Sequence, residues 1–343
     1  MVNLLDLFDS KLYSIANKEK ELIFFQVQKE LCKKHYLNSI IYRNIIDGLG
    51  INLSKITKIE EIPFIPSSLY KSIDFMPTTY DFIRLESSGT NGKKSFIKTN
   101  QFDVINQKKA LLKNTRDFIN LKRKPMIVLS DVENGKSISA KSAGALGFML
   151  FGKDILRINQ NDCINQILDY VRVYGDEIII YGTTIDLYQK LIKDKHFMVA
   201  DLRGATIITG GGWKNRSETL SLEDFFHGFK TIWNIDKIYD FYGMTEQLGN
   251  VYFRCECGNY HCSAYSDIII RNPIDFNALS FNKQGIVQTL CGLDINYPTN
   301  SILTEDYGML MGIDDCPCGR NGKYFKILGR LRKVEHRGCS YEK

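Results

Sequence analysis

No apolar run in the 343-residue sequence approaches the ~20 residues of a membrane span, so membrane insertion is not expected. The opening segment, MVNLLDLFDSK, lacks the basic-then-apolar pattern of a signal peptide, and a cytoplasmic location is expected. There is no dense basic run either. The net charge of +6 is spread over many lysines, which argues against a nucleic-acid partner while remaining compatible with an acidic ligand. Internal repeats, low-complexity tracts and a flexible linker are all missing, so the parts of the chain should pack as one body. Hydrophobic residues at 44% and charged residues at 24% are ordinary for a soluble globular protein. The length suggests two or three structural units.

What the sequence does have is cysteine, nine in all. Without an export signal these should stay reduced. Cys32, Cys163 and Cys291 are scattered and read as small apolar fillers. The remaining six fall in CECGNYHC (255–262), in CPCG (316–319) and at Cys339. Cys255, Cys257, His261, Cys262, Cys316 and Cys318 offer more sulfur and imidazole than a tetrahedral zinc site needs; separate reduced cysteines are the alternative. Cys339 sits in HRGCSYEK, where His336 and Arg337 favour its thiolate. Its alternative is an ordinary exposed cysteine.

Along the chain, residues 1–60 carry apolar residues at three- and four-residue spacing and are expected to be helical. The proline-punctuated EIPFIPSSLYK (61–71) is a connector. From 102 to 240, helical stretches alternate with PMIVLSD (125–131), EIIIYGT (177–183) and ATIITGGG (205–212), which read as buried strands of parallel βα units. After about residue 265 the pattern changes to short strand-like pieces, SDIIIRNP, GIVQTL and KILGRLRKVEHRG, with Gly, Pro and Asp turns. The expectation is an α/β core over 61–265, a smaller antiparallel subdomain over 266–330 closing onto it, and a short tail from 331 to 343.

Four polar stretches carry chemistry. LESSGTNGKKSF (85–96) crowds small, hydroxyl-bearing and cationic residues into one turn. Glycines there let backbone N–H groups approach an anion, and hydroxyls and ammonium groups can complete a phosphate cradle. The alternative is a hairpin tip, since Asn91-Gly92 is a strong two-residue turn signal. Neither the Walker spacing nor a G-x-G-x-x-G fingerprint is present. TGGGWK (209–214) follows a strand-like run and can lay bare backbone beside a ring or a phosphate. YDFYGMTEQLG (239–249) offers Tyr242 to stack on a base and Thr245-Glu246 to hold Mg²⁺ near phosphates. SILTEDYG (301–308) ends in Glu305-Asp306, where a carboxylate can accept from ribose hydroxyls. Taken singly, each is matched by a plain turn or a buried tyrosine.

In order, SSGTNGKKS, YGMTE, TEDYG and LGRLRK (328–333) resemble the acyl-adenylate-forming superfamily of acyl-CoA ligases and luciferases. PFIPSSLYK, TGGGWK, YGMTEQLGNVYFRCECGNYH, NYPTNSILTEDYG, CPCGRNGKYFKILGR and EHRGCS are closer still to bacterial acyl-protein synthetases of the LuxE type. The resemblance runs from about residue 60 to the end. It implies the large N-terminal domain of that fold, layered parallel and mixed sheets with helices plus a smaller antiparallel β subdomain, and a C-terminal lid essentially absent. It further implies that Ser87, Ser88, Gly89, Thr90, Gly92 and Lys93 hold the phosphates of ATP, and that Gly210, Gly211, Gly212, Tyr242 and Gly243 frame the adenine. Thr245 would contact the α-phosphate and Glu246 the Mg²⁺, while Asp306 would take the ribose with Arg330 close by. Related phenylacetate-type ligases carry a structural zinc, and the resemblance favours Cys255, His261, Cys316 and Cys318 as its ligands. Cys339 matches the cysteine that accepts the acyl group before a reductase partner takes it.

The implied reaction is ATP-dependent activation of a carboxylic, fatty acid as acyl-AMP, followed by transfer to a protein thiol. With no lid lysine to assign, Lys93, Lys94 and Lys333 are the candidate cations, Lys93 first. Two alternatives stand beside this reading: an acyl-CoA ligase of phenylacetate type, and a non-catalytic, zinc-stabilised nucleotide-binding assembly protein.

Overall fold

The computed structural model describes residues 4–8, 11–76, 82–87, 94–130, 132, 137–158, 163–213, 220–293 and 296–331. A short helix α1 (Leu4–Leu7) precedes α2 (Asn17–Asn38) and α3 (Ile40–Gly48). Phe24, Val27, Leu31, Cys32 and His35 of α2 fall at the three- and four-residue spacing of one helix face, and all five are buried. Ser39 separates the two helices and caps the second, its Oγ accepting from the Tyr42 N–H at 3.1 Å.

Strand β1 (Ile65–Pro66) runs straight into a 3-10 turn at Ser67–Lys71. The hairpin β2 (Ile83–Glu86) and β3 (Phe96–Thr99) then leads into α4 (Gln101–Ile119), which Asn100 caps by accepting from the Asp103 N–H. The central region alternates β4 (Lys124–Val128), β5 (Ser137–Ser139), α5 (Ala140–Phe148), β6 (Gly152–Arg157), α6 (Ile164–Tyr174), β7 (Ile179–Thr183), α7 (Thr184–Leu187), β8 (Thr206–Gly210), α8 (Leu222–Trp233) and β9 (Lys237–Tyr242). Short strands β10 (Tyr252–Phe253) and β11 (Tyr260–His261) lead to β12 (Ser266–Arg271), β13 (Gln284–Cys291), β14 (Ser301–Ile313) and β15 (Lys323–Arg330).

One sheet has the order β10-β9-β8-β7-β4-β6 and is parallel from β6 to β9, with β10 antiparallel at its edge. Alternate residues of its strands feed two different cores. Met126, Val128, Ile179 and Ile208 pack with Phe148 and Phe253 on one face, whereas Ile127, Ile180 and Ile207 pack with Phe225, Phe229 and Trp233 on the other. Burial on both faces is why these strands are continuous apolar runs rather than alternating ones. The second sheet, β11-β15-β14-β13-β12, is antiparallel, and β1 joins it parallel to β14. A small third sheet sets β3-β2-β5 side by side. The α/β architecture with an added antiparallel layer agrees with the fold class expected from the sequence. Among the described residues, no helix is long and apolar enough to cross a membrane.

The segment after β9 is locked onto α4 at a single glycine. Gly249 has φ of +81°, and a Cβ there would lie 2.6 Å from the Gln107 carbonyl oxygen, backbone that cannot swing away. Gly249→Ala is therefore expected to cost about 2 kcal/mol or more, from left-handed strain and overpacking together. Urea denaturation followed through the buried Trp233 measures it; a loss below about 0.5 kcal/mol, the range of an ordinary surface change, would mean that α4 and this segment are not held together here.

Candidate active site

Strands β8 and β9 run parallel, Gly210 opposite Phe241, and both end at the carboxyl edge where open α/β sheets bind ligands. A Cβ on Gly210 would meet the Phe241 carbonyl and ring at 2.8 Å, so strand packing alone demands that glycine. Gly211 and Gly212 follow with φ of +87° and +54°, turning the backbone out of the sheet. Gly243 differs: a Cβ would meet the Asn250 carbonyl at 3.5 Å and the Phe241 ring at 3.8 Å, ordinary contacts, so the protein's own packing does not demand glycine there.

Tyr242 closes β9 and reaches across to the antiparallel sheet, its hydroxyl donating to Asp306 Oδ2 at 2.7 Å. Burial raises the pKa of Asp306, against the hydrogen bond from Tyr242 and the charge of Arg330. Arg330 lies opposite Asp306 in the β14–β15 pairing. Its guanidinium binds the neighbouring carboxylate, Nη2 to Glu305 Oε2 at 3.0 Å. The other oxygen of Glu305 receives Lys71 Nζ at 2.5 Å. Lys71 arrives from far up the chain because β1 pairs with β14, Ile65 opposite Ile302 and Pro66 opposite Leu303, which lays the following turn against Glu305.

Thr245 and Glu246 begin a 3-10 turn, and both are buried. Burial raises the Glu246 pKa, opposed by a hydrogen bond from the Ser95 side chain and by the charge of Lys71. Ser95 is fixed at the base of the β2–β3 loop, where Ser87 N–H donates to its carbonyl at 2.8 Å and its own N–H donates to Ser87 Oγ at 3.0 Å. Strands β2 and β3 are therefore a hairpin whose closed base faces Glu246. Ser88, Gly89, Thr90, Gly92 and Lys93 lie outside the described residues, as do Lys333 and Cys339. Lys94 sits 3.8 Å from Glu86 on the hairpin. Ser87, Tyr242, Glu246, Asp306 and Arg330 are thus linked through Ser95, Glu305 and Lys71. Sequence reasoning counted Ser95 only among the hydroxyls of its loop and gave Lys71 no role. Both lie inside stretches quoted for the resemblance, but neither residue type stands out without its spatial neighbours.

A second tyrosine–aspartate pair runs the opposite way. Tyr260, on the antiparallel sheet, donates to Asp240 of β9, and the rings of Tyr242 and Tyr260 are 6.2 Å apart. Asp240 is pushed up to about 7 by burial, although the Tyr260 hydrogen bond and the charge of Arg254 pull it down.

The ligand atoms of Cys255, His261, Cys316 and Cys318 all lie within 4.8 Å of one another. Two matching turns build the cluster. The N–H groups of Gly258 and Gly319 donate to the carbonyls of Cys255 and Cys316 at 2.9 Å, and both glycines have left-handed φ, +80° and +78°. Cys255 Sγ and Cys316 Sγ are 3.9 Å apart and Cys318 Sγ is 3.4 Å from His261 Nε2. Two sulfurs at ~2.3 Å from one tetrahedral ion would be about 3.8 Å apart, so the spacing fits zinc. Burial lowers His261 to about 4, helped by Arg320, and keeps it neutral as a ligand must be. Burial also pushes Cys255 up to about 12; a divalent cation would reverse that preference. Cys257 is exposed and Cys262 is buried among Tyr252, Ile268 and Phe325 instead.

The fold is one shared by enzymes that make acyl-adenylates. The chain superposes on an open conformation of 2-hydroxyisobutyryl-CoA ligase in complex with 2-HIB-AMP and CoA, with a TM-score of 0.70 and 14% identity over 96% of this chain and 79% of that one. ATP-bound MatB from Rhodopseudomonas palustris matches with a TM-score of 0.52 and 14% identity over 72% of this chain and 47% of that one. The luciferase-like enzyme of the nonluminescent mealworm Zophobas morio gives 0.51 and 13%, over 77% and 61%. At these identities the likeness is one of fold. The family model for acyl-protein synthetase, LuxE, matches residues 2–342, and the chain belongs to that family. Its class is thereby that of ATP-dependent, acyl-adenylate-forming ligases. No curated protein matches the sequence significantly.

Asp240 carries a pH dependence of known sign. Between its ordinary value near 3.8 and about 7, the unfolded chain gives up this proton while the folded chain keeps it. Stability therefore falls as pH rises through that window and levels off above it. Relative to Asp240→Asn, the wild type should lose on the order of 3 kcal/mol between pH 4 and pH 7. Melting curves of both proteins across that range test this, and a constant difference would contradict it.

Proposed function

We propose that this chain activates a fatty acid at the cleft around Tyr242, Glu246 and Asp306, and then carries the acyl group as a thioester on Cys339. The observation that carries the reading is the convergence of that cleft. One tyrosine, three carboxylates and two cations from four separate segments meet at the carboxyl ends of β8 and β9, beside the base of a glycine-rich hairpin.

In this reading the adenine lies against Tyr242 and the backbone of Gly243, and Asp306 exchanges its hydrogen bond from Tyr242 for those of the ribose. The hairpin from Ser87 to Lys93 holds the β- and γ-phosphates with backbone N–H groups. Glu246, a carboxylate whose pKa burial raises, would hold Mg²⁺ together with the Thr245 hydroxyl, and the ion would supply charge neutralisation at the phosphates. Attack of the acid's oxygen on the α-phosphorus gives acyl-AMP and pyrophosphate. The mixed anhydride is then opened by a thiolate. A reductase that accepts the acyl group from Cys339 is the partner this chemistry implies. Cys255, His261, Cys316 and Cys318 would hold a structural zinc, tying two turns of the antiparallel layer together.

A second reading, with coenzyme A as the thiol, draws on the likeness to a CoA ligase. The two separate cleanly. Incubated with labelled fatty acid and ATP, the wild type is expected to become labelled in a hydroxylamine-sensitive bond and Cys339→Ser to stay below about a tenth of that label. Equal labelling of the variant removes Cys339 as acceptor, and release of free acyl-CoA without any partner selects coenzyme A. For the metal, elemental analysis should find one zinc per chain. Cys316→Ala should lose it, with a stability cost of about 2–5 kcal/mol; a wild type free of zinc would overturn the assignment.

A further inference from the structure

We propose that the ammonium of Lys71 supplies the positive charge at the α-phosphate during adenylation, the role for which sequence offers only Lys93, Lys94 and Lys333. The inference rests on the cleft being an adenylation site. Asp306 marks the ribose end and Glu246 the metal end. The α-phosphate links the ribose to the metal-bound phosphates, so it must pass between them. Lys71 stands in that interval: its Nζ is 2.5 Å from Glu305, the residue before Asp306, and the turn that bears it packs against both β3 and β14. Its charge also reaches the Glu246 carboxylate.

Among the described residues, three lysines of the hairpin and of α5 pair with other carboxylates. Lys94 lies beside Glu86, Lys98 beside Asp74 and Lys141 beside Asp186. The Lys71–Glu305 pair is about three-quarters buried on each side, at 25% and 24% exposure. Charge there is less screened than at the surface and is already held in place before the reaction begins. Glu305 takes Lys71 on one oxygen and Arg330 on the other, so two cations share one carboxylate. A phosphate oxygen can therefore enter the shell of Lys71 without stripping Glu305 of its counter-charge.

The step balances without Lys71 gaining or losing a proton. The acid's carboxylate oxygen bonds to the α-phosphorus, and the bond to the oxygen bridging toward the β-phosphate breaks. Pyrophosphate leaves with that electron pair. Lys71 donates hydrogen bonds to the non-bridging oxygens, whose negative charge grows as the acid attacks.

The test uses the full-length protein and fatty-acid-dependent pyrophosphate–ATP exchange, read as separate kcat and KM for ATP. Lys71→Met should lower kcat by about 100-fold or more, the scale of losing one preorganised charge donor, while KM for ATP changes less than about threefold. Lys71→Gln, which keeps a polar head, should fall similarly and replaces the Met variant if that one does not fold. Glu305→Gln separates chemistry from simple pairing. If Lys71 only neutralises Glu305, the double variant Lys71→Met with Glu305→Gln regains wild-type exchange; if Lys71 serves the phosphate, it stays as slow as Lys71→Met. Recovery in the double variant, or a single variant within about threefold of wild type, overturns the assignment of Lys71 alone. No acid-dependent exchange by the wild type overturns the adenylation reading and this inference with it.

Discussion

Two tyrosine–aspartate pairs bridge the parallel and antiparallel sheets in opposite directions, and the grouping of Glu246, Glu305 and Asp306 depends on the position they fix. Tyr242 leaves the parallel sheet for Asp306, and Tyr260 leaves the antiparallel sheet for Asp240. Between them lie Tyr252 and Phe325, ring against ring at 5.3 Å. A buried carboxylate without a donor would cost several kcal/mol, so each aspartate requires the opposite sheet to be where it is. The reciprocity fixes both the distance and the relative rotation of the two layers. Apolar contact alone would leave the layers freer to slide.

That constraint sets the electrostatics of the cleft. Glu246, Glu305 and Asp306 would repel one another in water, and here they are half-buried or buried. Lys71 and Arg330 hold Glu305 from its two sides. Asp306 is satisfied by Tyr242, and Glu246 by Ser95 with the charge of Lys71 nearby. In the proposed reading each of these partners is exchanged for a group of the nucleotide: the tyrosine hydroxyl for a ribose hydroxyl, the lysine's carboxylate for a phosphate oxygen. A cleft whose polar groups are already paired can be stable when empty and still bind. The Cys255, His261, Cys316 and Cys318 cluster joins β11 to the turn before it and to the turn between β14 and β15. In the proposed reading a zinc held there would tie these turns together.

Much of the fold was legible before any coordinates. The runs at 125–131, 177–183 and 205–212 became parallel strands because nothing but double-sided burial explains such unbroken apolar stretches. The change in pattern after residue 265 marked the antiparallel layer. Less legible were β1 and β11, two residues each, too short to show any period. They matter most for the site. One brings Lys71 to Glu305, and the other brings Tyr260 to Asp240 and His261 to the cysteines. The glycines of TGGGWK show the limit of reading residue types: Gly210 answers to Phe241, and only its two successors turn the chain outward.

By itself the sequence determined which polar groups stand side by side, since glycine-rich hydroxyl loops, paired carboxylates and clustered thiols are local patterns of side chains. It also determined which segments would be strands and helices, since periodicity is local too. The tertiary structure decided which charges face one another. Lys71 lies more than two hundred residues from Glu305, and a two-residue strand pairing aligns them. Long-range pairings of that kind leave no period or composition in the chain. They arise when buried polar groups find the few partners that geometry allows them.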